Sequence, residues 1–142
     1  MKLFCAIYTS RPSGPQHAFE VMSILETSRR NNQRDDVSGV LFCNASTFVQ
    51  LLEGPAVALN TTFQRICRDE RHTDVRLLWY GEVHERQFPG WYMRSLGPAE
   101  AQAVDFDKLG SGELDEDEIR DLVADLGGRA SARWLGERRP GR

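Results

Sequence analysis

Polar side chains stand in this sequence at positions where its patterning demands core residues. Gln50 alternates with Phe48 and Leu52, so in a strand its amide shares a face with two large apolar groups. Tyr8 follows Phe4 and Ala6 on one face of another extended run. Ala18, Val21, Leu25, Ser28 and Asn32 recur at three- and four-residue steps along one helical face, which begins apolar and ends polar, with Asn31 alongside. A buried amide or phenol without a hydrogen bond costs about 1–3 kcal/mol. Two explanations compete. Either these groups satisfy one another and nearby backbone, or they converge on a polar heteroaromatic ligand. Asparagine, glutamine and tyrosine together offer donors and acceptors suited to a ring edge rich in C=O and N–H groups. Their recurrence on three neighbouring elements favours the ligand.

The elements that must position these residues follow from periodicity. Residues 2–8 read as a strand, and Arg11-Pro12-Ser13-Gly14-Pro15 as a break. A helix is expected over 16–32. Strands over 37–43 and 47–52 are joined by Asn44-Ala45-Ser46. Gly54-Pro55 stops the second of them and opens another helix, whose stripe is Leu59, Phe63 and Ile66. A strand over 75–80, the turn Pro89-Gly90 and a short fifth strand over 91–96 complete a β-α-β-β-α-β-β order. That order reads as an α+β, ferredoxin-like sandwich (βαββαβ plus an added strand), with two helices on one sheet face. Beyond Gly110-Ser111-Gly112, a helix capped by Asp115 with Glu118 three residues on carries the stripe Ile119, Leu122, Val123 and Leu126. Leu114 and Ile119 form its hydrophobic staple, and Gly127-Gly128 ends it. It is expected to cap the opposite sheet face. The division expected is a ligand-binding domain over 1–97 and a helical extension with a basic tail over 98–142.

Composition narrows the classes. The chain has 142 residues, 40% hydrophobic and 27% charged, enough for one packed core. No apolar run approaches the ~18 residues of a membrane helix, and the first residues make a poor signal peptide. A cytoplasmic location is the expectation. A net charge of −3 argues against a phosphate-reading surface, so no direct nucleic acid contact is expected. Residues 1–97 hold 11 basic and 10 acidic side chains, and 98–142 hold 7 and 11, so the acidity belongs to the extension. Cys5, Cys43 and Cys67 are far apart and read as buried thiols, without disulfide or zinc spacing. His17, His72 and His84 show no metal-ligand spacing, and hydrolase, phosphate-loop and dinucleotide motifs are missing.

Six stretches, taken in order and spacing, resemble the BLUF family of blue-light sensors that use a flavin. They are Ile7-Tyr8-Thr9-Ser10, Ser28-Arg29-Arg30-Asn31-Asn32, Ser38-Gly39-Val40-Leu41-Phe42, Phe48-Val49-Gln50-Leu51-Leu52-Glu53-Gly54, Arg68-Asp69-Glu70-Arg71-His72 and Arg86-Gln87-Phe88-Pro89-Gly90-Trp91-Tyr92-Met93. The resemblance spans about residues 2–95, and Ser38 stands where threonine is usual. It implies the same ferredoxin-like fold, with FAD or FMN held non-covalently between the two helices. No cysteine lies in the asparagine–cysteine–arginine setting of LOV photosensors, so no covalent adduct is expected.

By position, the resemblance makes Tyr8 the electron and proton donor and Gln50 the side chain that reorganises its hydrogen bonds after light. Asn32 would hold the carbonyl and ring-nitrogen edge, with Asn31 and Ser28 beside it. Arg65 and Asp69 would face the other side of the ring, a surface Arg–Asp pair being the plainer reading. Arg71 and His72 would reach the flavin side chain or its phosphate. Arg29 or Arg30 would do so less readily, reading first as exposed helix charges. Trp91 and Met93 would pass the change outward. Such a domain is a switch and not an enzyme. Its output is expected through self-association as a homo-oligomer or through a partner: a cyclic-di-GMP phosphodiesterase, a response-regulator-like protein or a transcription regulator. Two rivals are weaker. An acyl-phosphate hydrolase or other small-ligand-binding sandwich needs an anion-cradling loop after strand one, and Pro12-Ser13-Gly14-Pro15 lacks the free N–H groups. An RNA-binding sandwich needs exposed aromatics and a basic sheet face.

Overall fold

Period-two alternation in the strands sorts the apolar residues into two clusters, one on each face of a five-stranded sheet of order β4-β1-β3-β2-β5. The structure is a computed structural model, described here for residues 2–13, 17–43, 47–95, 108, 113–119 and 121–122. Its elements are β1 (Leu3–Pro12), α1 (His17–Asp35), β2 (Ser38–Cys43), β3 (Phe48–Pro55), α2 (Ala56–Arg68), β4 (His72–Val83) and β5 (Arg94–Ser95). β1 lies antiparallel between β3 and β4, β2 is antiparallel to β3, and β5 adds parallel to β2. This is the expected ferredoxin-like sandwich.

On one face Ala6, Tyr8, Leu41, Phe48 and Leu52 pack under Ile24 and Leu25 of α1 and Leu59 of α2, with Phe63 and Ile66 against them. On the other, Cys5, Ile7, Val40, Phe42, Val49 and Leu51 meet Phe88, Trp91 and Ile119. Strands covered on both sides are buried throughout, as the run Cys5–Ser10 is. Ile119 belongs to the expected C-terminal cap. Glu118 N–H donates to Asp115 Oδ1 at 2.8 Å and Asp115 N–H to Glu118 Oε1 at 3.4 Å, the reciprocal pair of a capping box. Leu114 and Leu122 pack on the same cluster. Val123, Leu126, Gly127-Gly128 and the basic tail lie outside the described residues, as do Gly14-Pro15, the Asn44-Ala45-Ser46 loop and Leu96.

Several boundaries differ from expectation. β1 continues to Pro12, opposite His72, because β3 stops pairing at Ser10 and leaves the proline a side with no ladder to serve. β3 likewise runs to Pro55, which then stands at the N-cap of α2. Cys67 is exposed, while Cys5 is buried as expected. Burial, with the charge of Glu53 adding to it, pushes the Cys5 thiol up to about 12, so it is inert as a nucleophile.

The fifth strand is shorter than expected, and Trp91 and Met93 precede it. In a regular strand residues two apart share a face. Here Trp91 joins the cluster on the C-terminal face and Met93 the cluster under the helices. The backbone has to leave the extended form to separate them. Gly90 takes φ +79° just ahead, and Trp91 N–H returns to Phe88 O at 3.1 Å. Gly39 N–H then meets Trp91 O at 2.7 Å. At Gly39 a Cβ would lie 2.1 Å from the Leu51 carbonyl oxygen, so only glycine fits beside β3 there.

A buried carboxylate anchors this segment. Glu53 accepts from Ser38 Oγ at 3.1 Å, Gln87 N–H at 2.8 Å and Phe88 N–H at 2.6 Å. Arg86 spans the outside, donating to Ser38 Oγ at 2.8 Å and Asp36 O at 2.9 Å. Glu53→Ala strands these donors and should lower unfolding free energy by about 2–4 kcal/mol, measured by denaturant titration. A loss within experimental error would show that water replaces the carboxylate at no cost.

Candidate functional site

Between α1 and α2, on the β3 side, lies a cleft of about 300 Å³. Its floor is Gln50, Leu52 and Met93; α1 contributes Thr27, Ser28, Asn31 and Asn32; α2 and its end contribute Thr62, Arg65, Ile66, Arg68, Asp69 and Arg71. Strand alternation aims Gln50 and Leu52 to the same side, and helical spacing aligns Ser28, Asn31 and Asn32.

Two polar bridges span the helices. Arg71 is clamped by Asp69, its Nε 2.9 Å from Oδ1 with Nη2 on Oδ2, and its Nη1 donates to Ser23 Oγ at 2.7 Å and Thr27 Oγ1 at 3.2 Å. Burial opposes the charged form of Asp69. Hydrogen bonds from the Arg71 side chain and backbone, with the charges of Arg71 and His72, outweigh that and hold the carboxyl below its usual range. Arg65 Nη1 lies 3.6 Å from Asp35 Oδ2, beyond hydrogen-bond length. Asp35 is itself held below the usual carboxylate range, chiefly by the hydrogen bonds of Arg34. The plain Arg65–Asp69 pair therefore does not form: each has another partner.

Tyr8 and Gln50 face each other in the β1–β3 register, and Tyr8 OH donates to Gln50 Oε1. Both are buried, at 0% and 2% exposed. Tyr8 does not line the cleft; it reaches it through Gln50. Its ring meets Phe63 edge-on at 5.5 Å. Burial above all, with electrostatic interaction with Cys67 and Asp69 adding to it, pushes the phenol well above its ordinary value, so it is neutral.

Asn32 Nδ2 donates to Tyr92 O at 2.7 Å, and Arg29 Nε to Met93 O at 3.0 Å, fastening the segment before β5 to α1. Of the residues expected at the site, Ser28, Asn31, Asn32, Gln50, Arg65, Asp69, Arg71 and Met93 come together. His72 does not: it is buried against Ser10 Oγ at 2.9 Å and the Phe48 ring. Trp91 lies across the sheet, its ring under the Arg94 guanidinium at 4.6 Å. Sequence reasoning missed Thr27, Thr62, Arg68 and the backbone role of Arg29. Thr62 could have been found, since it shares a helical face with Arg65, Ile66 and Asp69.

Among the described residues, two buried cleft atoms, Thr62 Oγ1 and Arg65 Nη1, have no hydrogen-bond partner. Native interiors rarely leave such groups orphaned, so the cleft offers two unmet hydrogen-bonding atoms to a polar ligand. The amides, the hydroxyls and the apolar Leu52, Ile66 and Met93 suit a flat heteroaromatic ring. Arg65, Arg68 and Arg71 outnumber Asp69 and suit an anionic tail.

Comparison with known proteins identifies the family. The chain is 34% identical over 89 residues to the photoactivated adenylate cyclase subunit beta of Euglena gracilis, a match covering 62% of this chain and 10% of that protein. It is 33% identical over 82 residues to the blue light- and temperature-regulated antirepressor BluF of Escherichia coli K12, covering 58% and 20%. The chain thus spans a tenth to a fifth of these relatives' length. Among solved structures, dark-state BlrB, a BLUF protein, superposes with a TM-score of 0.78 at 26% identity, over 90% of this chain and 97% of that one. Photo-activated BlsA shares the fold at a TM-score of 0.74 and 20% identity, over 88% and 94%. The model of one family, described as sensors of blue-light using FAD, matches residues 3–94, well over half the chain, and the chain belongs to that BLUF family.

Proposed function

We propose that the cleft between α1 and α2 holds a flavin, and that Tyr8 and Gln50 convert its excitation into a change of hydrogen bonding. The observation that carries this reading is the buried Tyr8–Gln50 bond, with the same amide forming part of the cleft floor. When bound, the flavin supplies blue-light absorption and a ring that accepts an electron once excited. The chain does the rest. Asn31, Asn32 and Ser28 hold the ring edge, while Leu52, Ile66 and Met93 exclude water. Arg65, Arg68 and Arg71 balance an anionic tail, which FAD and FMN both carry.

Tyr8 is neutral and desolvated, so its proton leaves only in company with an electron. The acceptor in place is Gln50 Oε1. A carboxamide has a donor end and an acceptor end, and a phenol can donate or accept. Once Gln50 has turned or changed tautomer, the electron and the proton both return to Tyr8, which is restored as a neutral phenol in a different bonding pattern, with no net chemistry. The result is a switch with two hydrogen-bonded states of similar energy.

Output follows the segment before β5. Met93 touches the cleft, and its carbonyl is held by Arg29; Trp91 sits across the sheet in the cluster that receives Ile119. A small change at Gln50 and Met93 is thereby presented to the C-terminal cap. From there it reaches a second copy or a signalling partner, such as a cyclic-di-GMP phosphodiesterase, a response regulator or a transcription regulator. A cyclase subunit and an antirepressor among the relatives support regulation of a partner activity.

Tyr8→Phe should keep flavin yet lose the light-induced red shift of its absorption, and Gln50→Leu should do the same; illuminated absorption spectra decide, and a wild-type shift in either removes that residue from the switch. Asn32→Ala removes a ligand contact and the bond to Tyr92, and flavin affinity should fall by about 1–3 kcal/mol in equilibrium dialysis. Equal affinity would mean that Asn32 serves the backbone alone. In Trp91→Ala the spectral shift should survive while the light–dark difference in hydrogen exchange over residues 113–122 collapses. Persistence of that difference would place the output route elsewhere.

A further inference from the structure

We propose that the Thr62 hydroxyl is a ligand contact in its own right, binding the flavin from the α2 side of the cleft; the inference rests on the flavin reading above. A threonine inside a helix ordinarily returns its hydroxyl to the carbonyl four residues back. Thr27 on α1 does so, donating to Ser23 O at 3.0 Å, and Asn60 on α2 makes the equivalent bond to Ala56 O at 2.9 Å. Thr62 makes none. At 4% exposed it has no bulk water to turn to. Thr62 lines the cleft on the same helical face as Arg65, whose Nη1 makes no hydrogen bond and has only its 3.6 Å approach to Asp35, and the cleft is also lined by Gln50 and Leu52. A buried hydroxyl with no partner among the described residues, on a residue that lines the cleft, is accounted for by a partner that comes with the ligand. Because a hydroxyl both donates and accepts, it serves a carbonyl or a ring nitrogen equally.

A pure packing role predicts the opposite energetics, which makes the proposal testable. Valine copies the shape of threonine without the hydroxyl. If the hydroxyl is orphaned in the apoprotein, Thr62→Val removes an unsatisfied polar atom and leaves apoprotein melting unchanged or raised. The same variant should bind FAD about five- to tenfold more weakly, the scale of one lost buried hydrogen bond. Thr62→Ser, which keeps the hydroxyl, should stay within about twofold of wild type. The experiment measures thermal unfolding of the full-length apoproteins and FAD titration by fluorescence quenching for wild type and both variants. A Thr62→Val protein with wild-type FAD affinity overturns the proposal, as does one whose apoprotein melts lower, since the hydroxyl then has a structural partner. Wild-type protein that takes up no FAD overturns the flavin reading and this contact together, whereas failure confined to Thr62→Val leaves the flavin reading standing.

Discussion

A phenol and a carboxamide sealed between two helices and a sheet must bond to each other or pay for desolvation, and the hydrogen bond from Tyr8 OH to Gln50 Oε1 meets that demand. Much of the helix-side architecture keeps this pair aligned. The β1–β3 register sets the two residues opposite one another, and Leu52 and Phe48 flank the amide on the same face. Phe63 closes over the phenol ring edge-on. Rigid walls leave the amide few alternatives to its present position, yet its two ends differ chemically. A constrained group with two distinct bonding patterns is what a bistable element requires.

The segment from Arg86 to Met93 depends on the same rule in a second place. A carboxylate at Glu53 is tolerated in the interior because Ser38 and two backbone N–H groups satisfy it. Arg86, at the edge, ties that network to the end of α1. From this fixed point the chain carries Trp91 to one face and Met93 to the other. Asn32 and Arg29 then fasten the intervening carbonyls to α1. The segment before β5 thus touches both cores of the sandwich at the β5 edge of the sheet, where only two residues, Arg94 and Ser95, are paired. Local openings of low cost are expected in such places, where function draws on them.

At the cleft itself, electrostatics and packing divide the work. Asp69 orients Arg71 so that its guanidinium reaches the α1 hydroxyls, holding the helices together at one end. Arg65 leans toward Asp35 at the other without a full hydrogen bond. The result is a groove with a positive rim and a floor that is apolar apart from one amide, matched to a ligand with a neutral ring and a charged tail.

Periodicity and residue type alone determined the element order, the polar ending of the α1 face, the inward aim of Gln50 and the C-terminal cap with its Asp115–Glu118 box. Each depends on spacing along one element, which the local chain dictates. The motifs Ile7–Ser10, Ser28–Asn32 and Phe48–Gly54 likewise carry the resemblance to flavin-using sensors by residue type and order alone. Tertiary structure decided what depends on neighbours distant in sequence. β1 tolerates Pro12 because its pairing with β3 stops at Ser10, opposite Phe48, and the partners of Arg65 and Asp69 come from Asp35 and Arg71 instead of from each other. His72 follows a run of site residues and still turns into the sheet, because Ser10 offers its ring a buried partner. Trp91 and Met93, two residues apart, would share a face in any strand; the backbone bends at Tyr92 and Met93, ahead of β5, and sends them to opposite ones. An unsatisfied hydroxyl, such as that of Thr62, is also beyond sequence, for only the folded surroundings decide whether a donor finds its acceptor.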